Sequence, residues 1–492
     1  MHTAALPTDT QTLFSHGRLG ACLGAIALVS LLAFEALAVA AAMPAIAAAL
    51  GGLGLYAIAF GGMLATSVLG MVLAGQSCDR HGALRATVAG LAVFGAGLLV
   101  AGFAHSMAWL VAGRIVQGLG GGMLGVALYV GMGQVVPRAL HPSLFAMLAA
   151  AWILPGLLGP LAAAWLVQQW GWPAVFLGVA AALPLAAALL MPALSRLPAP
   201  VRAPLHAGLA LTPPAMSATP ATPVTPVTPV TPTRRLAWAA LAAGGALLLH
   251  AAGSAKSTLW LILAMTVGLV FACAAAARLL PSGTLAAAPG LPAVIALRGL
   301  IASAFATAEV FIPLALVRER GWTLTQAGLV LGAGAVLWSC GSAVQSRIRH
   351  AKDRRRALQA GLGVVAVGIA VVAGHFAGHL FPGQFTAHSA AHSAAQSATW
   401  VVAGWALAGF GIGLSFPMLS VLTLSLSEPT EQGHNASALQ ISDALCSSAA
   451  LAVAGALFNL AGDRGPQGYV LVLALAAALA LVAALLGRRA FA

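Results

Sequence analysis

The sequence predicts an all-α polytopic membrane protein, and its composition carries this prediction. Of 492 residues, 61% are hydrophobic and 7% are charged, whereas a soluble domain is roughly 45–50% apolar and about 25% charged. So few charges cannot cover a water-facing surface. Apolar runs near the roughly 20 residues that a spanning helix needs follow one another along the chain. The alternating pattern of an outer-membrane barrel is missing, so we expect a helical bundle.

Breaks at polar, Pro and Gly residues divide the apolar runs into fourteen predicted spans. They are 19–42, 55–75, 86–104, 108–132, 143–168, 173–192, 236–252, 258–280, 292–317, 323–345, 357–375, 399–425, 436–461 and 468–486. The run 236–252 is the shortest. Twelve spans plus a hairpin lying in the membrane interface is therefore an open alternative.

The basic residues predict the orientation, because Lys and Arg collect in cytoplasmic loops. With an internal N-terminus, the cytoplasmic side holds Arg18, Arg80, Arg85, Arg138, Arg196, Arg202, Arg234, Arg235, Arg278, Arg298, Arg347, Arg349, Lys352, Arg354, Arg355, Arg356, Arg488 and Arg489. The outer side holds Lys256, Arg318, Arg320 and Arg464, and Arg114 lies inside a span. This asymmetry predicts cytoplasmic termini in a plasma (inner) membrane. It also accounts for the net charge of +13 without a nucleic-acid partner.

The chain divides into four predicted segments. Residues 1–192 form an N-terminal six-helix half, 193–235 a linker, 236–280 an extra transmembrane hairpin, and 281–492 a C-terminal six-helix half. The linker repeats a Thr-Pro-Val triplet, which favours polyproline II and has no hydrophobic face. A plain cytoplasmic linker is the simplest interpretation, and a Pro-rich recognition segment is the alternative.

The residue pattern gives no reason to expect an enzyme or a cofactor. The five cysteines are scattered without a CxxC pair, which indicates small buried hydrophobes rather than disulfide partners or metal ligands. No phosphate-binding P-loop is present, which argues against ATP-driven pumping. A low-complexity segment at 387–393, with His375 and His379, leaves metal binding open as a weaker alternative.

Four charged residues inside the predicted spans are the candidate transport residues, because a charge in the bilayer core is costly. They are Glu35, Arg114, Glu309 and Asp443. From the rise per residue, Glu35 and Arg114 lie roughly 7 and 9 Å to the outer side of their span midpoints, so we expect them to pair. Glu309 has almost the depth of Glu35. Asp443 lies roughly 8 Å to the cytoplasmic side, where a hydrated vestibule is the simpler interpretation.

Two motifs suggest a family. Gly75, Asp79, Arg80, Gly82 and Arg85 follow the spacing G-x-x-x-D-R-x-G-x-x-R between spans two and three. Here small glycines would permit close approach, and the charges would form a cluster that locks or releases. The run Arg114, Gln117, Gly118 follows R-x-x-Q-G in span four. Both resemble signatures of the major facilitator superfamily.

Three further stretches are similar to the fourteen-span drug:proton antiporter branch of that family. Glu35 and Pro44 match the ends of its span-one run D-x-T-x-V-x-x-A-L-P, with Glu in place of Asp. The stretch 170–176 resembles its W-R-W-x-F run. Gly159 and Pro160 match the antiporter signature G-x-x-x-G-P-x-x-G-G only in part, since Pro155 replaces the first glycine.

The resemblance implies two parallel halves that alternate access to a central cavity. We therefore predict proton-coupled export of amphipathic or cationic compounds, with small molecules, protons and the bilayer as partners and a monomer as a sufficient unit. Proton exchange at Glu35 would drive the cycle. The alternatives are a transporter of one metabolite, in either direction, through a cavity with few aromatics, or a non-transporting receptor or scaffold.

Overall fold

The computed structural model describes residues 13–15, 18–137, 140–197, 232–253, 257–348, 350–377, 390–428, 431–461 and 466–491. Within these ranges the chain forms fifteen α-helices and no strand. The helices are α1 (Leu19–Leu50), α2 (Tyr56–His81), α3 (Ala83–Gly102), α4 (Met107–Val135), α5 (His141–Ala150), α6 (Ile153–Trp170), α7 (Pro173–Leu194), α8 (Pro232–Gly253), α9 (Thr258–Leu279), α10 (Leu291–Arg320), α11 (Leu324–Ser346), α12 (Ala351–Ala377), α13 (Ala390–Ser425), α14 (Gln432–Ala461) and α15 (Gln467–Leu486).

Fourteen helical segments are long and apolar enough to cross a membrane, as predicted. α5 and α6 together supply the fifth, over Ser143–Trp170. The extra hairpin supplies two, Thr233–Gly253 and Leu259–Leu279, which favours fourteen spans over twelve. Large apolar side chains cover the outside of the bundle, among them Leu185 at 68% and Leu485 at 70% exposure. Such a surface fits hydrocarbon rather than water.

The fifth span, predicted over 143–168, is divided at Ala151 and Trp152 into α5 and α6, a division that the sequence prediction did not place. In a continuous helix, the amide of residue 155 would donate to the carbonyl of Ala151. Pro155 has no amide hydrogen. Instead the hydroxyl of Ser30, on α1, donates to the Ala151 oxygen at 2.9 Å.

The helices pack as two groups with the hairpin beside their junction. α1 packs on α6 and α7, and α2 and α3 pack on α4; in the second group, α10 packs on α14 and α15, and α13 on α11 and α12. The groups meet where α2 contacts α14, α6 contacts α11, and α1 contacts α10. We call the end where α1, α10 and α14 begin the N-terminal face, and the end where they finish the opposite face.

Two predictions fall wholly or partly outside the described residues. The linker lies mostly in 198–231, which is not described, and α8 begins at Pro232, four residues before the predicted span. Of the His-rich segment, residues 387–389 and His379 lie in 378–389, also not described, and residues 390–393 begin α13. His375 is described, and its Nε2 lies 2.7 Å from Arg320 Nη2.

The five cysteines are all free, but they are not all buried. Cys22 and Cys78 are buried and Cys446 is half-buried, whereas Cys273 and Cys340 are exposed on the bundle. The expectation of burial is therefore wrong for those two. In a membrane, lipid can cover an apolar thiol, so a small hydrophobe need not be packed inside the protein.

Candidate functional site

The predicted pairing of Glu35 with Arg114 is confirmed. Arg114 Nη1 donates to Glu35 Oε1, and the side chains are 2% and 0% exposed. Gln117, one turn further along α4, donates from Nε2 to the same carboxylate oxygen at 3.2 Å. Its own Oε1 accepts from Arg114 Nη1 at 3.3 Å. α1 and α4 thus join a carboxylate, a guanidinium and an amide in one buried network.

Arg114 is also fixed from α2. Its Nε donates to the carbonyl oxygen of Ala59 at 3.0 Å, and its guanidinium carbon lies 5.9 Å from the centroid of the Phe60 ring. By contrast, Glu35 Oε2 is buried and has no hydrogen-bond partner among the described residues. A buried polar atom without a partner is costly. A hydrogen-bond donor beside this oxygen would remove that cost.

Glycines bring α4 close enough to place this network. A Cβ atom on Gly118 would overlap the carbonyl oxygen of Met63 and the hydroxyl of Thr66 on α2. The Thr66 hydroxyl already donates to the carbonyl of Ile115 on α4 at 2.7 Å. Close backbone packing through small residues is a general way to join helices in membranes. The span-four motif thus supplies Arg114 and Gln117 as polar groups and Gly118 as the contact surface.

The span-five motif lies beside α1 and at the junction of the two groups. A Cβ on Gly159 would make ordinary contacts, at 3.7 Å, with Phe34 and Leu37, which flank Glu35 on α1. A Cβ on Gly328 of α11 would come within 3.1 Å of the Pro160 oxygen. The retained part of the motif therefore packs α6 against both neighbours.

The loop motif is only partly as predicted. Gly82 has φ of 85°, a conformation that suits glycine, and it makes the turn between α2 and α3. Gly75 has open space where its Cβ would lie, so the expected close approach is wrong there. Asp79, Arg80 and Arg85 are exposed and make no ion pair with one another within the described part of the chain. Solvated charges at a helix end gain little from pairing.

Glu309 is not part of the Glu35 network. It lies on α10, is half-buried, and makes no hydrogen bond or ion pair with any described residue. Its chain neighbour Val310 accepts a hydrogen bond from the Tyr56 hydroxyl of α2 at 3.0 Å. Glu309 therefore lies close to a contact between the two groups of helices, with its own carboxylate unpaired.

Asp443 is partly exposed, in keeping with the expectation of a hydrated vestibule, and it is also paired, which the sequence reasoning did not predict. Arg298 Nε donates to Asp443 Oδ2 at 3.2 Å, with the aspartate side chain 25% exposed and the arginine 9%. Arg298 Nη1 also donates to the Phe416 carbonyl at 3.2 Å and to Ser420 at 3.1 Å. Arg298 lies only six residues inside the predicted span 292–317. Because Arg298 lies near this end of the span, it was counted among the cytoplasmic basic residues and not among the buried charges.

Aromatic side chains gather around Arg298, a feature the sequence reasoning missed. The guanidinium carbon of Arg298 lies 3.3 Å from the centroid of the Phe416 ring. Phe416 packs edge-on against Trp338 at 5.6 Å, and Trp338 packs against Phe305 at 5.4 Å. Trp405 stacks on Phe305 at 4.5 Å. These four rings come from three helices, α10, α11 and α13, so no local sequence pattern could group them.

Hydrogen bonds join the two groups of helices near the opposite face. Besides the Tyr56 contact, Gln168 on α6 donates to Thr325 on α11 at 3.1 Å, and Asn459 on α14 donates to the Gly54 carbonyl at 3.1 Å. Tyr56 is 1% exposed and packs against Phe311 of α10 at 5.6 Å. The opposite face is therefore closed around Tyr56.

The chain matches one family model and a bacterial relative along most of its length, and a fungal relative over about a third of it. A family model described as Major Facilitator Superfamily matches residues 23–381. A "Probable multidrug-efflux transporter" of Mycobacterium tuberculosis is 27% identical over 436 residues, which cover 85% of this chain and 83% of the relative. An MFS-type transporter of Penicillium citrinum is 32% identical over 153 residues, 31% of this chain and 26% of the relative.

Solved structures share the fold at low sequence identity. An auto-inhibited peptide transporter of the POT family aligns with a TM-score of 0.64 and 14% identity, covering 95% of this chain and 96% of that one. A human organic anion transporter aligns with a TM-score of 0.55 and 15% identity, covering 95% and 99%. At these identities the likeness concerns the fold and not the substrate.

Proposed function

The chain belongs to the major facilitator superfamily and is a membrane transporter rather than an enzyme. We propose that it exports amphipathic or cationic small molecules in exchange for protons. The similarity to a relative named as a multidrug-efflux transporter supports this direction and substrate class. We further propose a plasma (inner) membrane location with the N-terminal face in the cytoplasm, on the strength of the basic residues there. A single chain holds both groups of helices, so a monomer suffices.

The observation that carries the proposal is the buried network around Glu35. The carboxylate has one oxygen bound to Arg114 and Gln117 and one oxygen without a described partner. A proton on that free oxygen would neutralise Glu35 and weaken its attraction to Arg114. Loss of the proton would restore the ion pair. Two charge states of one buried carboxylate thus supply the two-state element that proton coupling requires.

The closed opposite face suggests how the charge change is coupled to access. Glu35 lies on α1, which contacts α10 at the junction of the two groups of helices. The Tyr56 hydroxyl on α2 donates a hydrogen bond to the Val310 carbonyl on α10, near the opposite face. In the proposed cycle, this face opens by a rocking motion of the groups, which exposes Glu35 to external protons. The pair then re-forms when the proton leaves toward the cytoplasm.

The substrate class is supported by the chemistry around Asp443. The partly exposed carboxylate lies beside Arg298, whose guanidinium covers the half-buried ring of Phe416. Carboxylates and aromatic faces both attract cations, and Arg298 contacts both groups, so a cationic substrate would bind here by displacing its guanidinium from Asp443 and the Phe416 ring. Ring surfaces also suit flat apolar compounds. We propose that this region receives the substrate. Glu309, unpaired among the described residues and roughly 16 Å further along α10 toward the opposite face, would supply a second negative charge on the path of the substrate.

Transport in inverted membrane vesicles tests the proposal directly. An imposed proton gradient, acid inside, should drive accumulation of a cationic dye such as ethidium, and collapse of the gradient should stop it. A panel that includes neutral amphipathic compounds, dipeptides and organic anions would define the range. Gradient-independent uptake, or accumulation of none of the cationic or amphipathic compounds, would contradict the proposal.

A transporter of one defined metabolite, importing or exporting it, is the second candidate. The incomplete antiporter signature at Gly159 and Pro160 favours it, because the signature is the part of the sequence tied to antiport. The aromatic cluster around Arg298 argues against this second candidate, because the single-metabolite alternative assumed a cavity with few aromatic side chains. The same panel separates the two: accumulation of a single polar metabolite and of no dye would select the second candidate.

A further inference from the structure

The first helix of the extra hairpin spans the junction between the two groups of helices. α8 packs along α2, which belongs to the first group, and along α14, which belongs to the second. α9 packs on α8 and has far less contact with α14. α8 is therefore placed to respond when α2 and α14 separate.

His250 lies where the three helices meet. Its side chain is buried at 5% exposure, and its Nε2 lies 3.4 Å from the Ser448 hydroxyl of α14. That hydroxyl donates in turn to the Gly61 carbonyl of α2 at 2.8 Å. A Cβ atom on Gly61 would overlap the imidazole, so glycine makes the space that His250 fills. One histidine thus occupies a contact between both groups of helices.

Further contacts hold α8 at its two ends. At the opposite face, Asn459 of α14 donates to the last residue of α8, Gly253, at 2.9 Å, as well as to Gly54. At the N-terminal face, Arg235 Nη2 of α8 lies 3.4 Å from His434 Nδ1 of α14. α8 is thus bound to α14 near both of its ends, and it also packs along α2.

The contact suits a neutral imidazole and not a charged one. Because the Ser448 hydroxyl donates its hydrogen to the Gly61 oxygen, it accepts a hydrogen bond from the N–H at Nε2 of His250, which leaves Nδ1 as the unprotonated nitrogen of the neutral ring. An imidazolium at this site would be a buried charge without a counter-charge, which is costly. Hydration after the three helices part would remove that cost.

The ionisable groups on the surrounding helices do not neutralise such a charge. They are Tyr56, Cys78, Asp79, Arg80 and His81 on α2; Arg234 and Arg235 on α8; Cys273 and Arg278 on α9; and His434, Asp443 and Cys446 on α14. None of them forms a hydrogen bond or ion pair with His250 in the described part of the chain. Asp443 is already paired with Arg298, and across α2 Arg114 is paired with Glu35.

We propose that His250 is a second proton-binding site, in which the neutral imidazole keeps the opposite face closed and a proton bound from that side favours its opening. This gives the extra hairpin a role in the cycle, as the element that carries a pH-sensitive contact between the two groups of helices. The proposal rests on alternating access as proposed above. It does not depend on Glu35 being the coupling residue.

Distance measurements between spin labels at the opposite face test this proposal. Trp109 on α4 and Leu460 on α14 are 60% and 69% exposed near that face and belong to different groups. Both would be replaced by labelled cysteines in a variant lacking the five native cysteines, reconstituted in nanodiscs without substrate or gradient. Distances would be recorded from pH 8 to pH 5, which brackets the ordinary histidine pKa of about 6.5.

We expect a longer-distance population to grow as the pH falls. In His250→Gln, whose amide can still donate to Ser448, the pH-dependent growth should fall to less than half. His105→Gln, which changes an exposed histidine near the same face, should behave like the parent. Gly61→Ala is the second variant: its methyl group takes the space of the imidazole, so it too should lose the pH response.

Several outcomes would overturn the proposal. These are a parent without a pH response, a response in His250→Gln or in Gly61→Ala as large as in the parent, and a His250→Gln protein that is open at every pH. The last result would mean that His250 acts by packing alone. Because no transport is measured, none of these outcomes bears on whether Glu35 couples proton flux.

Discussion

Glu35 on α1 and Arg114 on α4 form a buried ion pair in which one carboxylate oxygen has both polar partners and the other has none within the described part of the chain. A merely structural ion pair would be expected to satisfy both oxygens, because each unmade hydrogen bond costs free energy. The asymmetry makes Glu35 a carboxylate with room for a proton.

Replacing Glu35 by Gln should abolish proton-driven accumulation while leaving the protein folded. The amide oxygen can still accept from Arg114, but the side chain no longer changes charge. Dye uptake into inverted vesicles at matched protein levels measures the effect, and we expect a loss of at least about tenfold. Glu319→Gln, at an exposed site near the end of α10, is the control. Intact proton-driven uptake in Glu35→Gln would rule out this role.

Replacing Arg114 by Gln should destabilise the protein, because it leaves a buried carboxylate without its counter-charge. Breaking one side of such a pair costs about 3–5 kcal/mol. Unfolding by sodium dodecyl sulfate in mixed micelles measures this, with exposed Arg196→Gln as control. The double variant Glu35→Gln/Arg114→Gln should lose less free energy of unfolding than the two single variants added together. Simple additivity would mean that the pair contributes no coupling energy.

Gly118→Ala should weaken the contact between α2 and α4. The added methyl group would overlap the Met63 carbonyl, and the helices would have to separate. Gly125→Ala is a matched control on the same helix, with open space at its Cβ; it should be neutral or up to about 1 kcal/mol stabilising by helix propensity. Thermal unfolding followed by size-exclusion chromatography compares them. Equal melting temperatures would show that the close approach is not required.

Asp443→Asn should reduce the apparent affinity for cationic substrates more than for neutral ones. The variant removes a partly exposed negative charge beside an aromatic surface. We expect the KM for a monovalent cationic dye to rise about tenfold, equivalent to about 1.4 kcal/mol, with a smaller change for a neutral amphipathic compound. Asp353→Asn, exposed in the first turn of α12, serves as control. An equal rise for both substrates would indicate a structural role for Asp443.

The spans and the central ion pair could be predicted from sequence because each depends on one-dimensional quantities. Hydropathy gives the spans, and the rise per residue gives the depths at which Glu35 and Arg114 match. Arg298 was counted with the basic residues of the cytoplasmic side and not with the buried charges, because depth near a helix end does not reveal whether a side chain points inward. His250 escaped notice because its importance depends on Gly61 and Ser448, which lie nearly two hundred residues away on either side.

The loop motif was recognised from its spacing, but the contacts expected within it were not all found. Its spacing was informative, yet Gly75 has open space around it and the three charges make no mutual pair in the described structure. A sequence pattern carries no information on which of its members are in contact in one conformation of a moving protein.

Through a hydrogen bond to the divided fifth span, α1 connects the buried Glu35–Arg114 pair with the end of α5. Ser30 and Glu35 lie five residues apart on α1, about 7.5 Å along its axis. The Ser30 hydroxyl bonds to Ala151, the residue at which α5 gives way to α6. A turn of α1 about its own axis therefore shifts the carboxylate and the end of α5 together. Ala151 and Trp152 keep right-handed helical φ and ψ angles, so α5 and α6 are joined by a bend, and α6 contacts α11 beyond it.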